Sequence, residues 1–431
     1  MKDVTSTNLF RGEINRCSSG GSILIGIKSG LFGVRFFDFA NGVCSARIGF
    51  GGKRLSDESS HVDQVRRPGI RRLSTDGVTL VTADRVSGTN QPFNPDRDPR
   101  KNVEINLGKA CNNRCVFCLD GMPKKEDRSY LPWETLKTEI ERWSQSGHRS
   151  LGFLGGEPTT YPKLPRAVAY ARSKGFSRIA IATNATKLRL THFTDELLEA
   201  GLTRITISMH GHTPELEDRL TRVPGNFEKK CTAIRYLQSK RREGYLPDGL
   251  SVNIVLNGWN YPHLLAMMQF FYEEMGMDDL RINFVRPEGY AEGSSDLTPR
   301  YPLVVPVVMK AVVLNERHFK RVFTLGGFPL CVLPKSFVSS EYLKRKYLGE
   351  YRDLSTDCSV RADGGEQGVS TFEGGRSRFN WQDRKRYDLK GHPDACDSCE
   401  ALPVCEGVWG GYLSIYGPDE FSALTLADFG Q

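Results

Sequence analysis

The stretch VEINLGKACNNRCVFC, residues 103–118, decides how the rest of this 431-residue chain is interpreted. Its first five residues form a short strand candidate, and Cys111, Cys115 and Cys118 follow in the loop after it. Thiolates select soft metals. A tetrahedral zinc ion normally needs a fourth ligand nearby, whereas three cysteines in a tight loop can hold three irons of a cubane and leave the fourth iron open. Three packed core cysteines are the other interpretation, which the polar residues between them disfavour.

The sequence from residue 103 onward predicts an α/β fold, because short strand candidates alternate with amphipathic helix candidates. Leu136, Ile140 and Trp143 are spaced to fall on one helix face, and the pattern repeats from Phe227 to Leu237. Six such units predict a partial (β/α)6 barrel of the TIM type, with ligands held at the carboxyl ends of the strands. The predicted strands are residues 103–107, 151–154, 178–182, 204–209, 251–256 and 280–285.

Two regions flank the predicted barrel, which we place at residues 101–325. Residues 1–100 are predicted to form a small β-rich domain, with β-branched or aromatic runs at 22–28, 32–39 and 43–50 and a hairpin turn at Asn41-Gly42. The stretch from Ser87 to Asn102 is rich in Pro, Asp and Arg, like an exposed linker. Residues 326–431 are predicted to form a cysteine-rich extension.

With Phe117 directly before its third cysteine, the cysteine loop has the pattern CxxxCxxC and resembles the radical S-adenosylmethionine (radical SAM) superfamily. The resemblance implies a 4Fe-4S cluster on Cys111, Cys115 and Cys118 whose open iron chelates S-adenosylmethionine, with Phe117 among the cofactor-binding residues. It also implies reductive cleavage of S-adenosylmethionine to a 5′-deoxyadenosyl radical that abstracts hydrogen from a substrate. A reductant such as flavodoxin or ferredoxin is the partner implied for this step.

The triplet Gly155-Gly156-Glu157, here called the GGE loop, directly follows the second predicted strand. We predict that its two glycines let a ligand approach the backbone closely. In the resembled family a GGE loop hydrogen-bonds the methionyl amine, which implies that Glu157 acts as an acceptor. Taken alone, the triplet is also an ordinary turn.

Polar residues at the ends of later strands are further candidates for cofactor binding. Asn184 follows the third predicted strand, and Ser208 lies at the end of the fourth. The resemblance implies that Ser208 contacts the ribose and that a following arginine reaches the methionyl carboxylate. Arg222 suits that role, with Arg219 as a competing choice and a solvated helix face as the alternative for both. His210 is interpreted as a loop or substrate-side residue, because it has no partner at metal-ligand spacing.

Five cysteines in the extension predict a second metal site. The spacing CxxCx5C from Cys396 to Cys405 resembles the auxiliary-cluster modules of the SPASM and twitch subgroups and implies an auxiliary 4Fe-4S cluster; a zinc site is the alternative. A full SPASM module continues to a cysteine where Trp409 stands, so we expect one cluster. Cys358 is the alternative fourth ligand. The favoured ligands are Cys331, Cys396, Cys399 and Cys405.

The composition of the chain limits which cellular compartment and which binding partners we expect. The 11 cysteines are an odd number, and no N-terminal stretch resembles a signal peptide, so we expect a reducing, cytoplasmic setting. The apolar run at residues 302–314 is interrupted by Pro306 and Lys310, so no membrane segment is expected. The net charge of +8 is spread along the chain without a basic stripe of interleaved aromatics, and nucleic acid is therefore not an expected partner.

The sequence predicts only the chemical class of the substrate. An auxiliary cluster in the resembled subgroup often accompanies modification of ribosomal peptides, and a β-rich domain could capture a leader peptide by strand addition. We therefore predict a peptide substrate and a maturase-type oxidoreductase reaction. A small-molecule biosynthetic reaction is the first alternative, followed by nucleic-acid modification and by a non-catalytic iron–sulfur binding protein.

Overall fold

The computed structural model describes residues 101–119, 129–351, 353, 355–359 and 379–430, together with the backbone of five strands nearer the start of the chain. The predicted turn at Asn41-Gly42 and residues 87–100 of the predicted linker lie outside the described residues. The chain divides into two compact units, residues 1–69 and 70–431. The second unit contains the regions predicted at 101–325 and 326–431, whose boundaries stay predictions.

The first unit contains an antiparallel sheet of three strands. They are β1 (Ile23–Ile27), β2 (Gly30–Phe37) and β3 (Ser45–Ile48), and they pair in that order. A short hairpin of β4 (Leu73–Thr75) and β5 (Val78–Leu80) belongs to the second unit. Each of the three β-branched or aromatic runs in the sequence therefore overlaps a strand.

The second unit is built on a curved sheet of parallel strands, as expected for a partial barrel. All six predicted strands are present, and their ends differ from the predicted ends by at most two residues. Two more parallel strands, β12 and β13, extend the sheet, one at each side, and β14 pairs antiparallel with β13. The strand order is β12-β11-β10-β9-β8-β7-β6-β13-β14. The bounds are β6 Asn102–Asn106, β7 Ser150–Leu154, β8 Arg178–Thr183, β9 Arg204–Ser208, β10 Gly249–Leu256, β11 Asp279–Phe284, β12 Val322–Gly326, β13 Thr356–Cys358 and β14 Phe379–Asn380.

Helices connect successive strands and bury one face each. In α1, Leu136, Ile140 and Trp143 are at most 1% exposed, as their spacing predicts. Within its described residues, the extension adds four helices after the barrel and a two-stranded pair of β15 (Lys390–Gly391) and β16 (Val408–Trp409). The helices are α1 Trp133–Gln145, α2 Leu164–Ser173, α3 Thr191–Glu199, α4 Pro214–Thr221, α5 Asn226–Arg242, α6 Leu264–Gln269, α7 Tyr301–Leu314, α8 Lys335–Val338, α9 Glu341–Tyr347, α10 Trp381–Arg384 and α11 Gly410–Tyr416.

Single turns of other helix types complete the chain path. Turns of 3₁₀ helix occur at Pro158–Thr160, Thr186–Arg189, Tyr261–His263, Gly289–Ala291, Leu330–Val332, Gly349–Tyr351, Asp394–Cys396 and Leu426–Phe429. Turns of π helix occur at Phe270–Glu274, Asn315–Phe319 and Lys385–Leu389.

The apolar run at residues 302–314 lies within α7 and packs into the core of the second unit. Val304, Val308 and Val312 are fully buried there, although Pro306 lies inside the helix. Within the ranges that the structure describes, no helix is both long enough and apolar enough to cross a membrane.

A fully buried ion pair joins the end of β9 to helices α4 and α5. The ammonium of Lys230 lies 2.5 Å from the Glu217 carboxylate and donates a second hydrogen bond, 2.8 Å long, to the carbonyl oxygen of Ser208. The other carboxylate oxygen of Glu217 accepts from the backbone N–H groups of His210 and Gly211, at 2.7 and 2.8 Å. Because both charges are paired and hydrogen-bonded, they fix the end of β9 to the two helices.

Lys230→Met is expected to destabilise the protein strongly, because the Glu217 carboxylate would stay buried without its cation. Removal of one partner of a buried ion pair costs about 3–5 kcal/mol. Denaturant unfolding followed by circular dichroism should show a correspondingly lower midpoint.

Lys240→Met is the matched control for that experiment. Lys240 also lies on α5 but pairs with Asp195 and Glu243, whose side chains are 37% and 51% exposed. Exposed pairs contribute little to stability, so the midpoint of this variant should hardly move. Equal shifts in the two variants would contradict the structural role of the buried pair.

Candidate functional site

The cysteine loop lies between β6 and α1 and is docked on the last turn of α4. The backbone N–H groups of Arg114 and Val116 donate to the carbonyl oxygens of Thr221 and Leu220, at 3.0 and 2.9 Å. Carbonyls in the last turn of a helix have no partner within that helix, so they are free to bind another segment. The end of α4 therefore holds the backbone on which the three cysteines stand.

Donors within the same loop face two of the cysteine sulfurs. The backbone N–H of Asn113 lies 3.3 Å from Sγ of Cys111, and its side-chain amide lies 4.0 Å from Sγ of Cys115. Asn226 of α5 holds that amide in place by donating to its oxygen at 2.8 Å. Hydrogen bonds to sulfur are a usual part of the environment of an iron–sulfur cluster.

Burial controls the protonation of these thiols. It raises the pKa of Cys111 to about 11 and of Cys115 to about 12, while the nearby Lys230 ammonium acts in the opposite direction. Such thiols must lose their protons to bind iron, so cluster assembly would release protons. In the described part of the chain no three His, Cys, Asp or Glu side chains converge on a single ion. In a cubane each thiolate binds a different iron, and the partly buried thiols of this polar loop fit that arrangement.

The two glycines of the GGE loop make room for neighbouring protein segments. Both have positive φ, +90° at Gly155 and +50° at Gly156. A Cβ at Gly156 would collide with the carbonyl oxygen of Ala110, and one at Gly155 would collide with the side chain of Asn106. The glycines therefore let the GGE loop pack against the end of β6 and the segment before Cys111, a role that was not predicted from the sequence. Close approach of a ligand there stays a prediction.

Glu157 connects the ends of two strands and is 2% exposed. Its Oε1 accepts from the backbone N–H and hydroxyl of Thr159 and from the hydroxyl of Thr183, at 2.9, 2.5 and 2.5 Å. Its Oε2 accepts from the backbone N–H of Asn184 at 2.6 Å. The Asn184 side chain in turn donates to that of Asn112 in the cysteine loop at 2.7 Å. This network joins the GGE loop, the end of β8 and the cysteine loop, and contact of Glu157 with the methionyl amine stays a prediction.

Phe117, Ser208 and Arg222 lie at the carboxyl end of the sheet. Phe117 and Ser208 line the large cavity inside the barrel. Arg222 follows α4 with a left-handed backbone, φ 53°, and its guanidinium lies 5.6 Å from the centre of the Tyr290 ring. The backbone N–H of Tyr290 donates to the carbonyl oxygen of Cys118 at 3.0 Å. Arg222 thus contacts Tyr290, and Tyr290 in turn contacts the cysteine loop.

Two other candidates from this part of the sequence have protein partners of their own, and the ring of His210 lies 4.7 Å from that of Phe117. Arg219 stacks over the ring of Trp259, 4.0 Å from its centre. His210 lies in the loop after β9, as the sequence predicts, and there its side chain is 2% exposed and its Nδ1 accepts from the backbone N–H of Val255 at 3.0 Å. Burial lowers the pKa of His210 well below its usual value, so the ring is neutral.

Four cysteines of the extension lie together and are called here the auxiliary cysteine group: Cys331, Cys396, Cys399 and Cys405. Burial raises the pKa of Cys331 to about 12, with smaller contributions in the same direction from Cys405, Cys396 and Cys399. The backbone N–H of Leu424 lies 3.3 Å from Sγ of Cys399, and that of Gly407 lies 3.4 Å from Sγ of Cys405. The group therefore combines four thiols with donors that suit sulfur ligands.

Cys358, the alternative fourth ligand, lies at the edge of the barrel. It is on β13, in register with Glu104 of β6. Burial and the neighbouring Glu104 carboxylate raise the pKa of its thiol. The structure thus places Cys358 beside Glu104 and Cys331 beside the clustered cysteines.

A cavity of about 660 Å³ runs through the barrel interior, from Phe117 and Leu119 of the cysteine loop to the extension. Volumes of this size are typical of ligand sites. The lining combines apolar side chains with many charged ones, unlike the packed interior of a complete TIM barrel. Its charged residues are Arg178, Arg204, Arg281, Arg286, Lys385, Glu104, Asp248, Asp279, Glu350 and Asp353.

These cavity residues were missed in the sequence. Arg178, Arg204 and Asp279 each begin a strand. A charged residue at the start of a barrel strand could have been used to predict a charged barrel interior. Arg286 follows β11 by two residues, at the end of the sheet where ligands are expected. Trp409 was considered only as a missing cysteine, yet its ring lines the cavity.

Gly156→Ala is expected to reduce the iron bound after anaerobic reconstitution by about half, the share of one of two 4Fe-4S clusters. The added methyl would displace Ala110 and with it the adjoining Cys111. Iron and protein should be quantified on the same sample.

Gly175→Ala is the control, since Gly175 also has a positive φ, +90°, but no atom lies within 4 Å of its Cβ position. It carries the backbone strain without the collision and should retain its iron. Full iron content in Gly156→Ala would show that the close packing of the GGE loop is not required for cluster binding.

Comparisons with known proteins agree with this geometry. Residues 105–271 match the Radical SAM superfamily. The Fe-coproporphyrin III synthase of Methanosarcina barkeri is 30% identical over 182 residues, which are 42% of this chain and 43% of the synthase. The GTP 3′,8-cyclase of Aquifex aeolicus is 30% identical over 181 residues, 40% of this chain and 53% of the cyclase. The chain thus spans about half the length of these two curated relatives.

A solved structure shares the fold over a larger part of the chain. Streptococcus suis SuiB bound to S-adenosylmethionine has a TM-score of 0.51 and 17% identity, over 76% of this chain and 77% of SuiB. SuiB bound to its precursor peptide SuiA gives the same TM-score at 16% identity, over 76% and 75% of the two chains. Radical SAM proteins use a 4Fe-4S cluster and S-adenosylmethionine. Residues 105–271 of this chain therefore form a radical SAM domain.

Proposed function

We propose that this protein cleaves S-adenosylmethionine reductively and removes hydrogen from a peptide substrate held in the barrel cavity. The observation that carries the proposal is the meeting of the cysteine loop and the GGE loop at one end of that cavity. The backbone N–H of Glu157 donates to the carbonyl oxygen of Ala110 at 2.8 Å, and Phe117 and Leu154 line the cavity beside it. A 4Fe-4S cluster and S-adenosylmethionine bound there would supply a hydrogen-abstracting carbon radical.

In this proposal the protein binds and orients the cofactor and excludes water. The three cysteines of the cysteine loop bind three irons, and Glu157 accepts from the methionyl amine. Ser208 contacts the ribose, and Arg222 approaches the methionyl carboxylate. Asn184 keeps the GGE loop attached to the cysteine loop through Asn112. The nearly buried ring of Phe117 keeps water from the reacting end of the cavity.

We further infer that the auxiliary cysteine group binds a second 4Fe-4S cluster. Four thiols and the backbone donors near Cys399 and Cys405 support this inference. Trp409 stands where the resembled SPASM module has another cysteine, which supports one auxiliary cluster rather than two. Metal analysis distinguishes this cluster from the zinc alternative.

A peptide substrate is supported by the likeness to SuiB, a protein of the same fold whose structure holds a precursor peptide. The three-stranded sheet of the first unit also has strand edges of the kind to which an extended peptide can add.

A small-molecule substrate is the second candidate, because the two curated relatives are named for reactions of a porphyrin and of GTP. A flavodoxin or ferredoxin is proposed as the natural reductant.

Anaerobically reconstituted protein is expected to bind about eight irons, from two 4Fe-4S clusters. Replacing Cys111, Cys115 and Cys118 together by Ala should remove about half of that iron, because each cluster needs its own thiolates. Cys231→Ala is the matched control, since this buried cysteine lies on the core face of α5. About four irons with stoichiometric zinc in the wild type would reject the auxiliary cluster and leave the first site untouched.

The reduced enzyme is expected to release 5′-deoxyadenosine and methionine from S-adenosylmethionine, slowly in the absence of substrate. Dithionite under strict anaerobiosis and chromatography of the products test this, with Cys115→Ala as the inactive comparison. S-adenosylhomocysteine as the sole nucleoside product would indicate methyl transfer instead.

The same assay separates the two substrate classes. Deuterated candidate peptides and deuterated small metabolites are supplied in parallel, and deuterium is measured in the released 5′-deoxyadenosine. Transfer from a peptide supports the proposal, and transfer only from a small metabolite replaces it with the second candidate.

A further inference from the structure

Glu104 of β6 carries a carboxylate in the cavity wall that has no hydrogen-bond or ion-pair partner among the described residues. The residue is partly exposed, and its oxygens are not among the side-chain atoms that are buried without a partner. The carboxylate therefore keeps accessible surface on the side of the cavity. Charged groups inside a protein are normally paired, so an accessible carboxylate without a partner indicates a ligand that supplies the opposite charge.

Small residues on the neighbouring strands leave space beside this carboxylate. The strand register places Gly152 of β7 opposite Glu104, and Ala180 of β8 opposite Gly152, and all three residues line the cavity. The Glu104 side chain extends towards β7, because its Cγ and Oε1 lie 3.3 and 3.9 Å from the position that a Cβ of Gly152 would occupy. These three residues are called here the Glu104 recess, which has a carboxylate at one side and a floor of glycine and alanine.

The protein stabilises the charge of Glu104 poorly. Burial raises the pKa of Glu104 to about 7, although the charges of Arg178 and Arg281 lower it, and the charge of Asp353 adds to the increase. Arg178 donates to the hydroxyl of Ser150 at 2.7 Å, and the Arg281 guanidinium lies 3.8 Å from a carboxylate oxygen of Asp353. A raised pKa means that the charged form lacks favourable neighbours. A cation brought by a ligand would supply the missing interaction.

The Glu104 recess lies one step deeper in the barrel than the GGE loop. Asn106 is two residues further along β6 on the same face, and its side chain packs against Gly155 of the GGE loop. Two residues of a strand cover about 7 Å. A substrate group held at Glu104 would therefore leave the atoms next to it close to the end of the cavity where the cysteine loop and the GGE loop meet.

We propose that Glu104 binds a cationic group of the substrate, an ammonium or a guanidinium, in the recess that Gly152 and Ala180 leave open. The inference rests on the proposed function and deepens it, because it assigns a positive charge to the substrate. In a peptide, this charge would belong to a lysine or an arginine side chain. A carboxylate accepts charge-assisted hydrogen bonds from either group, and such bonds are about twice as strong as those between neutral groups.

Blocked amino acids are suitable probes, because each presents one side chain on a peptide-like backbone. Nα-acetyl-lysine N-methylamide carries an ammonium, the corresponding arginine derivative carries a guanidinium, and the norleucine derivative ends in an uncharged methyl group. Each is titrated calorimetrically into anaerobically reconstituted enzyme with S-adenosylmethionine. The wild type is expected to bind one of the two cationic probes about tenfold more tightly than the norleucine derivative, the effect of a hydrogen bond to a charged group.

Three variants test whether Glu104 is the source of this preference. Glu104→Gln keeps the size of the side chain and removes its charge, so it should lose the preference. Glu104→Asp keeps the charge but withdraws it by one methylene; it should retain part of the preference and stays informative if Glu104→Gln does not fold. Glu350→Gln is the matched control, since Glu350 also lines the cavity and burial raises its pKa to about 7. Lys390 and Lys385 lie near Glu350 and would repel a cationic probe, so this variant should keep the preference.

The two cationic probes show whether the recess takes an ammonium or a guanidinium, and a preference for either supports the proposal. Equal or absent binding of all three probes by the wild type would overturn it, as would a preference that Glu104→Gln retains or that Glu350→Gln loses to the same extent. Iron content and 5′-deoxyadenosine release of the wild type are measured on the same preparation. If this enzyme loads iron and cleaves S-adenosylmethionine but does not prefer a cation, the recess fails and the proposed function stands. Absence of 5′-deoxyadenosine would contradict the proposed function and the inference with it.

Discussion

The docking of the cysteine loop on the last turn of α4 is the contact on which the rest of the site depends. Backbone hydrogen bonds to Leu220 and Thr221 position the loop, and its apolar residues Val116 and Phe117 are buried in the core. Those two carbonyls are in turn positioned by Glu217, one helical turn earlier, and its partner Lys230. A charge pair deep in the second unit thus determines where three thiols stand, and the GGE loop and Asn184 complete the enclosure from the other side.

The barrel interior keeps its volume because its charges are largely satisfied within the wall. Arg204 reaches Asp279 at 3.1 Å, and Lys385 and Lys390 both bind Glu406 close to the auxiliary cysteine group. An interior filled with branched apolar side chains would leave no space for a substrate. Paired charges instead stay hydrated or face one another, which leaves the interior open.

Local patterns in the sequence were enough for the six strands and for the loops that follow them, because strand periodicity and the spacing of Cys111 to Cys118 are local properties. Features that depend on pairing between segments distant in the sequence could not be predicted from local patterns. Strand β13 has three residues and exists through its pairing with β6. The proximity of Cys331 to Cys405 likewise depends on how the extension folds back, so the sequence offered only a choice between Cys331 and Cys358.

Other differences have equally local physical causes. His210 lies in the predicted loop, but its burial was not predictable because the covering loop after β10 is distant in sequence, with Asn260 donating to its carbonyl oxygen at 2.9 Å. Arg286 and Trp409 belong to no recognisable motif, and their place in the cavity wall is visible only in the structure. The glycines of the GGE loop correctly predicted that another group approaches the backbone closely, but in the structure that group is a neighbouring protein segment.

The pairing of β13 with β6 also has a consequence for biosynthesis. Asn102 donates to the hydroxyl of Thr356 at 3.0 Å across a sequence separation of 254 residues. The outer edge of the first barrel strand therefore stays open while the ribosome makes nearly all of the barrel, and it is closed by one of the last segments to emerge. Open strand edges recruit other chains, and such long-range closure is slow. The nascent protein should accordingly depend on chaperones during this interval, and truncation before residue 356 should favour aggregation over a smaller folded enzyme.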